Sequence, residues 1–136
     1  MKKVPNFGRR NRQRGVAAVE FALVLPLFLT LVLGAIDWGW FFFIDQIVTN
    51  AAREGARAGT LLAPPPVSSN GQAEDAAEAA SNLYLTNVHL SATGVVASST
   101  GSAITVTITY PVGSLTGFLK PVMPASAVAT AVMRWQ

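Results

Sequence analysis

The sequence predicts an α+β fold: a long N-terminal helix over 16–59, kinked near Pro26, whose outer half carries a small domain with one short helix and a three-stranded antiparallel sheet. Three observations point there. Residues 16–36 read VAAVEFALVLPLFLTLVLGAI, an apolar run with a single charge at Glu20. An apolar face then continues at helical spacing to Gly59, and beyond residue 100 the period switches from helical to alternating.

The apolar run has the length of a membrane span. A helix rises ~1.5 Å per residue, so these residues cover about 30 Å, the thickness of a bilayer's hydrocarbon core. Lys2, Lys3, Arg9, Arg10, Arg12 and Arg14 precede it, and Trp38 and Trp40 follow it as an aromatic anchor for the far interface. This asymmetry places the N-terminus in the cytoplasm and everything from Asp37 onward outside it. Pro26 removes one helical hydrogen bond, hence the expected kink. A cleaved secretory signal has the same basic-then-apolar grammar, but the run is too long, and Leu33-Gly34-Ala35 offers Leu where a small residue is needed for cleavage. The residues after Arg9-Arg10 do not support a twin-arginine address.

Charge and composition narrow the function further. The chain has 136 residues and a formal charge of +3, but residues 16–136 hold four basic against seven acidic side chains, a net of −3. The folded part therefore lacks the basic surface that tracks phosphates, and nucleic acid is not an expected partner. With no Cys and a single His, disulfides, zinc or iron–sulfur sites and Cys- or His-based catalysis lack their residues, so no metal, cofactor or enzyme activity is expected. His89 is expected on a strand in a structural role.

After the tryptophans, Ile44, Val48, Ala51, Gly55 and Ala58 form one continuous helical face that becomes small toward its end, suited to close approach by another element. Arg53, Glu54 and Arg57 are expected on a solvated face with a weak Glu54–Arg57 pair. Gly59 and Pro64-Pro65-Pro66 end the helix. A second helix is predicted over 72–85, with Ser69 and Gln72 resembling a capping box and Ala73, Ala76, Ala77, Ala80 and Tyr84 on one face. Glu74, Asp75 and Glu78 decorate its other side, near the favourable end of the helix dipole. Ile104, Val106, Ile108 and Tyr110 alternate with threonines as a strand, with 88–97 and 126–134 as partners and SSTG at 98–101 as the hairpin connection. The Pro- and Gly-containing stretch 111–125, with Leu115, Phe118 and Leu119, reads either as an interaction surface or as a cover on the sheet. About 75 residues beyond the long helix, without disulfides, need that helix for much of their core.

Glu20 is the exception in the span, since a carboxylate inside a bilayer normally has a partner or a task, unless it lies close enough to the interface to reach water. Its surroundings, Arg14-Gly15-Val16-Ala17-Ala18-Val19-Glu20-Phe21, resemble the type IV pilin family, whose precursors have a short basic leader ending in Gly and an apolar helix with Glu at its fifth position. EFALVLPLFLTLVLGAIDWG (20–39) and TNAAREGARAG (49–59) further resemble the TadE-like pseudopilins of Tad/Flp pilus systems. The resemblance covers roughly the first 60 residues and implies a pilin-like fold. It also implies cleavage after Gly15 by a membrane-bound prepilin peptidase, with Val16 as the new N-terminus.

Glycine leaves an extended peptide unobstructed in a protease cleft, and the cut removes six positive charges that hold the helix end at the membrane surface. Glu20 would then pair with the α-amino group of a neighbouring subunit, an assembly role. The implied partners are the peptidase, other pilin or pseudopilin subunits through the N-terminal helix, the inner-membrane assembly machinery and the lipid bilayer. The expected organisation is a leader (1–15), a transmembrane helix (16–36), its extracytoplasmic continuation (37–59) and a small domain (60–136), located in the bacterial inner membrane. The chain is longer than the very short major Flp subunit, which implies a minor pilin or pseudopilin. Two other readings stay open: an uncleaved, signal-anchored protein with an extracytoplasmic binding domain, and a secreted adhesin, which would require cleavage near Ala35.

Overall fold

The computed structural model describes residues 9–62, 71–91 and 94–136, with side chains from Gly15 onward. The first eight residues, the triple proline and Ser69 lie outside the described residues. The elements follow in the order α1 (Arg9–Thr60), α2 (Gln72–Asn87), β1 (Gly94–Thr100), β2 (Ala103–Pro111) and β3 (Ser126–Arg134). This is the expected α+β arrangement of one long helix, one short helix and a three-stranded antiparallel sheet in the order β1-β2-β3.

Helix α1 begins at Arg9, ahead of the expected start at Val16. Arg and Gln are good helix formers, and the one glycine among them, Gly15, costs only about 1 kcal/mol relative to Ala, so nothing local stops the helix at the apolar boundary. The helix is continuous through Pro26. Its outer half is the spine of the core: Ile44, Val48, Ala51, Ala52 and Ala56 are buried together with Ala73, Ala77 and Leu85 of α2 and Ile104, Val106 and Ile108 of β2. The predicted small face is therefore the packed one, although Ala58 at its end is only half-buried. Arg53, Glu54 and Arg57 face solvent, with Glu54 and Arg57 3.8 Å apart in an exposed pair.

Close approach of α2 to α1 depends on two glycines. A Cβ on Gly55 would lie 2.0 Å from Ser81 Oγ and 2.7 Å from the Ala77 carbonyl oxygen, and one on Gly59 would lie 2.9 Å from the Ala73 carbonyl oxygen. Ser81 is fully buried and donates its hydroxyl to the Ala51 carbonyl at 3.2 Å. The buried stripe of α2 is Ala73, Ala77, Ser81 and Leu85, rotated from the expected stripe: Ala76, Ala80 and Tyr84 flank it. Gly55 selects Ser81, because the closest crossing admits only a small side chain.

Helix α2 starts after Gly71, which has φ 72 and provides no side-chain cap. It ends two residues later than expected, in a Schellman turn: Leu90 N–H donates to Leu85 O at 2.9 Å and His89 N–H to Thr86 O at 3.0 Å. His89 is therefore exposed, at φ 62 in the left-handed position usually taken by glycine, and not on a strand.

The first strand is accordingly shifted from 88–97 to 94–100, because helix and cap consume residues through 90. Ser98 to Thr100 belong to β1, and the hairpin turns on Gly101-Ser102, with Thr100 opposite Ala103. Gly101 has φ 60 and Ser102 does not have positive φ, the sign pattern of a type II′ turn. On β2 the alternation is as predicted: Ile104, Val106 and Ile108 face the core and Thr107 meets Thr130 across the outer face. On β3, Ala129 opposite Ile108 and Ala127 opposite Tyr110 keep the core side of that strand thin enough for α1 to lie close.

Candidate functional site

The features that bear on function lie along α1, from its apolar end to the point where the outer domain is fastened. Between Gly15 and Val32 the helix is almost bare of cover from the rest of the chain: Val19, Phe21, Leu23, Leu27 and Leu31 are all more than half exposed. This one helix is long and apolar enough to cross a membrane. Eleven exposed large apolar side chains between Val16 and Ile36 would be a large liability in water, and in lipid they are at home, which marks a membrane-anchored protein.

Gly15, Val16 and Glu20 lie together on the exposed first turns of this segment. A Cβ on Gly15 would meet nothing within 4 Å, so packing within the chain does not require glycine there, in contrast to Gly55 and Gly59. Glu20 has no ion-pair partner among the described residues. At Pro26, Thr30 donates its hydroxyl to the Pro26 carbonyl at 2.8 Å. At the other end Trp38 and Trp40 anchor an aromatic group: Trp38 contacts Phe41 and Phe42 with ring centroids 5.8 Å apart, and Trp40 stacks on Phe43 at 5.7 Å. Large amphipathic rings at the end of an apolar helix suit the membrane interface.

Between the span and the aromatic group lies the one residue of this region that sequence reasoning passed over. Asp37 is fully buried, covered by the 112–125 loop. Its carboxylate accepts four hydrogen bonds: Ser114 Oγ at 2.7 Å, Thr116 Oγ1 at 2.7 Å, Thr116 N–H at 2.8 Å and Leu119 N–H at 3.3 Å. Burial pushes its pKa up, but the bonds from the Thr116 backbone, the Ser114 and Thr116 hydroxyls and the Leu119 backbone outweigh that and hold it down at about 2. Asp37 is thus a carboxylate clamp that ties the loop to the helix just past the apolar run. The loop's base is closed by Val112 N–H to Ala125 O at 3.0 Å, with Val112 and Met123 buried beneath it. Of the two readings of 111–125, a cover on the sheet describes Val112 and Met123, whereas the tip is turned to α1.

A second set of carboxylates lines the outer edge of the sheet. Glu78 accepts the Ala97 N–H at 3.0 Å, and Glu74 accepts both the Ser99 N–H, at 3.1 Å, and the Ser99 hydroxyl. The Ser99 hydroxyl is the main reason that the Glu74 pKa is lowered. These acids, read from the sequence as helix decoration, satisfy backbone donors of β1 that would otherwise be open to another strand. Among the described residues no cluster of three or more His, Asp or Glu side chains is placed to hold a metal.

The apolar helix and nearly all of its outer continuation carry a family signature. Residues 15–57 match the family model described as TadE-like protein, so that this segment is similar to TadE-like proteins. Neither a curated protein nor a solved structure matches the chain significantly. The match begins at Gly15, includes Glu20, Asp37 and both tryptophans, and ends within the small-residue face that packs on α2.

Proposed function

We propose that the protein is the precursor of a minor pilin or pseudopilin that a prepilin peptidase cuts after Gly15 and that then takes part in assembling a Tad/Flp-type pilus, a structural and not an enzymatic role. The single observation that carries this reading is an apolar helix, TadE-like over 15–57, whose large apolar side chains from Val16 to Val32 are mostly left exposed by the chain itself. Such a surface serves lipid before assembly and neighbouring helices after it. Gly15 is a glycine that packing within the chain does not need, which supports a requirement imposed from outside.

Glu20 is the natural recognition point within that helix. Removing the leader leaves 121 of the 136 residues and a new cationic amine on Val16. A carboxylate four residues along the helix, in a low-dielectric bundle, is strongly disfavoured unless a neighbour's amine meets it, so the pair would fix register as well as contact. The orientation that fits has the leader and its peptidase on the cytoplasmic side of the inner membrane and the sheet outside.

Intact mass and N-terminal sequencing of the membrane-extracted protein, with and without a co-expressed prepilin peptidase, test this directly. Val16 at the N-terminus is the expected result, and Met1 retained in the presence of an active peptidase leaves the signal-anchored binding module instead. Glu20→Ala should be cleaved normally and incorporated poorly; incorporation at the wild-type level removes the assembly role of Glu20.

A further inference from the structure

We propose that the tip of the 112–125 loop is a second membrane contact, seated at the boundary of headgroups and acyl chains in the outer leaflet beside the end of the spanning helix. The Asp37 clamp decides the level of the tip. Asp37 directly follows the apolar run, and Leu119 reaches one turn back along it: its Cδ1 lies 3.5 Å from where a Cβ on Gly34 would be. The loop therefore overlaps the last turn of the span.

At that level the loop presents apolar side chains outward. Leu115 is 61% exposed, Phe118 49% and Val122 70%. On the turns of α1 around Asp37, the side chains of Ile36, Trp38 and Phe42 are exposed as well. Lys120, also exposed, has a long stem that can lie on this surface while its ammonium reaches lipid phosphates.

The backbone of the tip supports lipid over water as the occupant. Irregular chain at membrane depth is tolerated only where its polar groups are satisfied by the protein. Here the N–H groups of 116 and 119 go to the Asp37 carboxylate, that of Gly117 to Ser114 Oγ at 2.7 Å and that of Phe118 to Thr116 Oγ1 at 3.2 Å. The N–H groups of Val122 and Met123 both go to the Leu119 carbonyl, at 2.9 and 3.0 Å. An exposed loop that spends these six backbone donors internally while turning Leu, Phe and Val outward is built for an apolar neighbour. The inference rests on 16–36 being a membrane span.

The chain has no Cys, so single labelling sites are clean. Phe118→Cys, Val122→Cys, Leu31→Cys and Val128→Cys, each carrying a nitroxide, would be reconstituted as full chains in phosphatidylethanolamine–phosphatidylglycerol vesicles. Collision with oxygen, which partitions into lipid, is then compared with collision with a water-soluble nickel chelate. The expected result is an oxygen-to-nickel ratio several-fold higher at 118 and 122 than at Val128 on the outer sheet face, and approaching that at Leu31. A ratio at 118 and 122 equal to that at 128, with 31 in lipid, overturns the loop contact and leaves the span intact. Label at 31 in water overturns both. Sites 118 and 122 shielded from both collision partners indicate a protein neighbour, which also overturns the lipid assignment.

Discussion

Gly55→Ala places one methyl group at the closest crossing in the molecule. The added Cβ would sit 2.0 Å from Ser81 Oγ, 3.3 Å from Ser81 Cβ and 2.7 Å from the Ala77 carbonyl oxygen. The Ser81 hydroxyl can rotate away at the cost of its bond to Ala51; the Ala77 oxygen belongs to the backbone of α2 and moves only if the helix moves. Overpacking of this kind costs about 1–3 kcal/mol, and the backbone clash puts Gly55→Ala in the upper half of that range. Replacing a helical glycine by alanine returns about 1 kcal/mol, which leaves a net destabilisation of about 1–2 kcal/mol. That loss multiplies the population of the opened outer domain by roughly 5 to 30. Native-state proteolysis of the full chain in detergent micelles reads this population, provided that opening and closing are fast compared with cleavage. Gly39→Ala in the same helix is the internal control, because a Cβ there meets nothing within 4 Å. It should leave cleavage unchanged or slow it. If Gly55→Ala also slows cleavage, Gly55 is not a packing requirement and the account of the α1–α2 contact is wrong.

Four further outcomes follow from the carboxylates and the helix cap. Asp37 is held at about 2 against an ordinary value of 3.8, so its contribution to loop docking is complete above about pH 4 and disappears as pH falls through 2. Its carboxyl carbon resonance should titrate near 2, and a midpoint at 3.8 would show that the clamp is not formed. Asp37→Asn should accelerate chymotrypsin cleavage after Phe118 at neutral pH, with a wild-type rate speaking against the clamp. His89→Gly relieves a non-glycine residue at φ 62 and should stabilise the outer domain by about 1 kcal/mol, visible as slower native-state proteolysis. Glu74→Ala combined with Glu78→Ala frees the Ala97 and Ser99 N–H groups and should produce concentration-dependent self-association above the wild-type level in sedimentation velocity; an unchanged profile would mean that these acids do not guard the edge.

What the sequence reveals here is what repeats locally. The apolar run, the face through Ile44, Val48, Ala51 and Gly55, and the alternation of Ile104, Val106 and Ile108 with threonines each recur within a few residues, and each is found where its period predicts. The misplacements are local competitions. His89 accepts the left-handed cap position that glycine usually fills, which lengthens α2 and moves β1 toward its hairpin. Ser81 is buried because Gly55 faces it, a relation between residues 26 apart that no helical period in α2 encodes. Asp37 was the least legible. Its partners Ser114, Thr116 and Leu119 lie 77 to 82 positions away, and an acid following an apolar run reads first as a boundary. The one available hint was compositional, two hydroxyl residues and two glycines in a loop that otherwise turns apolar side chains outward.

The outer domain is attached near both ends of the outer half of its rod. Asp37 holds the loop at the membrane side, and just past the end of α1 at Thr60, about 35 Å farther along the helix axis, Trp135 donates its indole N–H to the Leu62 carbonyl at 2.9 Å. A cargo fixed at two distant points cannot swivel about its shaft. Whatever angle α1 adopts among neighbouring helices is therefore transmitted to the threonine-rich outer face of the sheet, so the orientation of the exterior is geared to contacts made inside the membrane or the bundle.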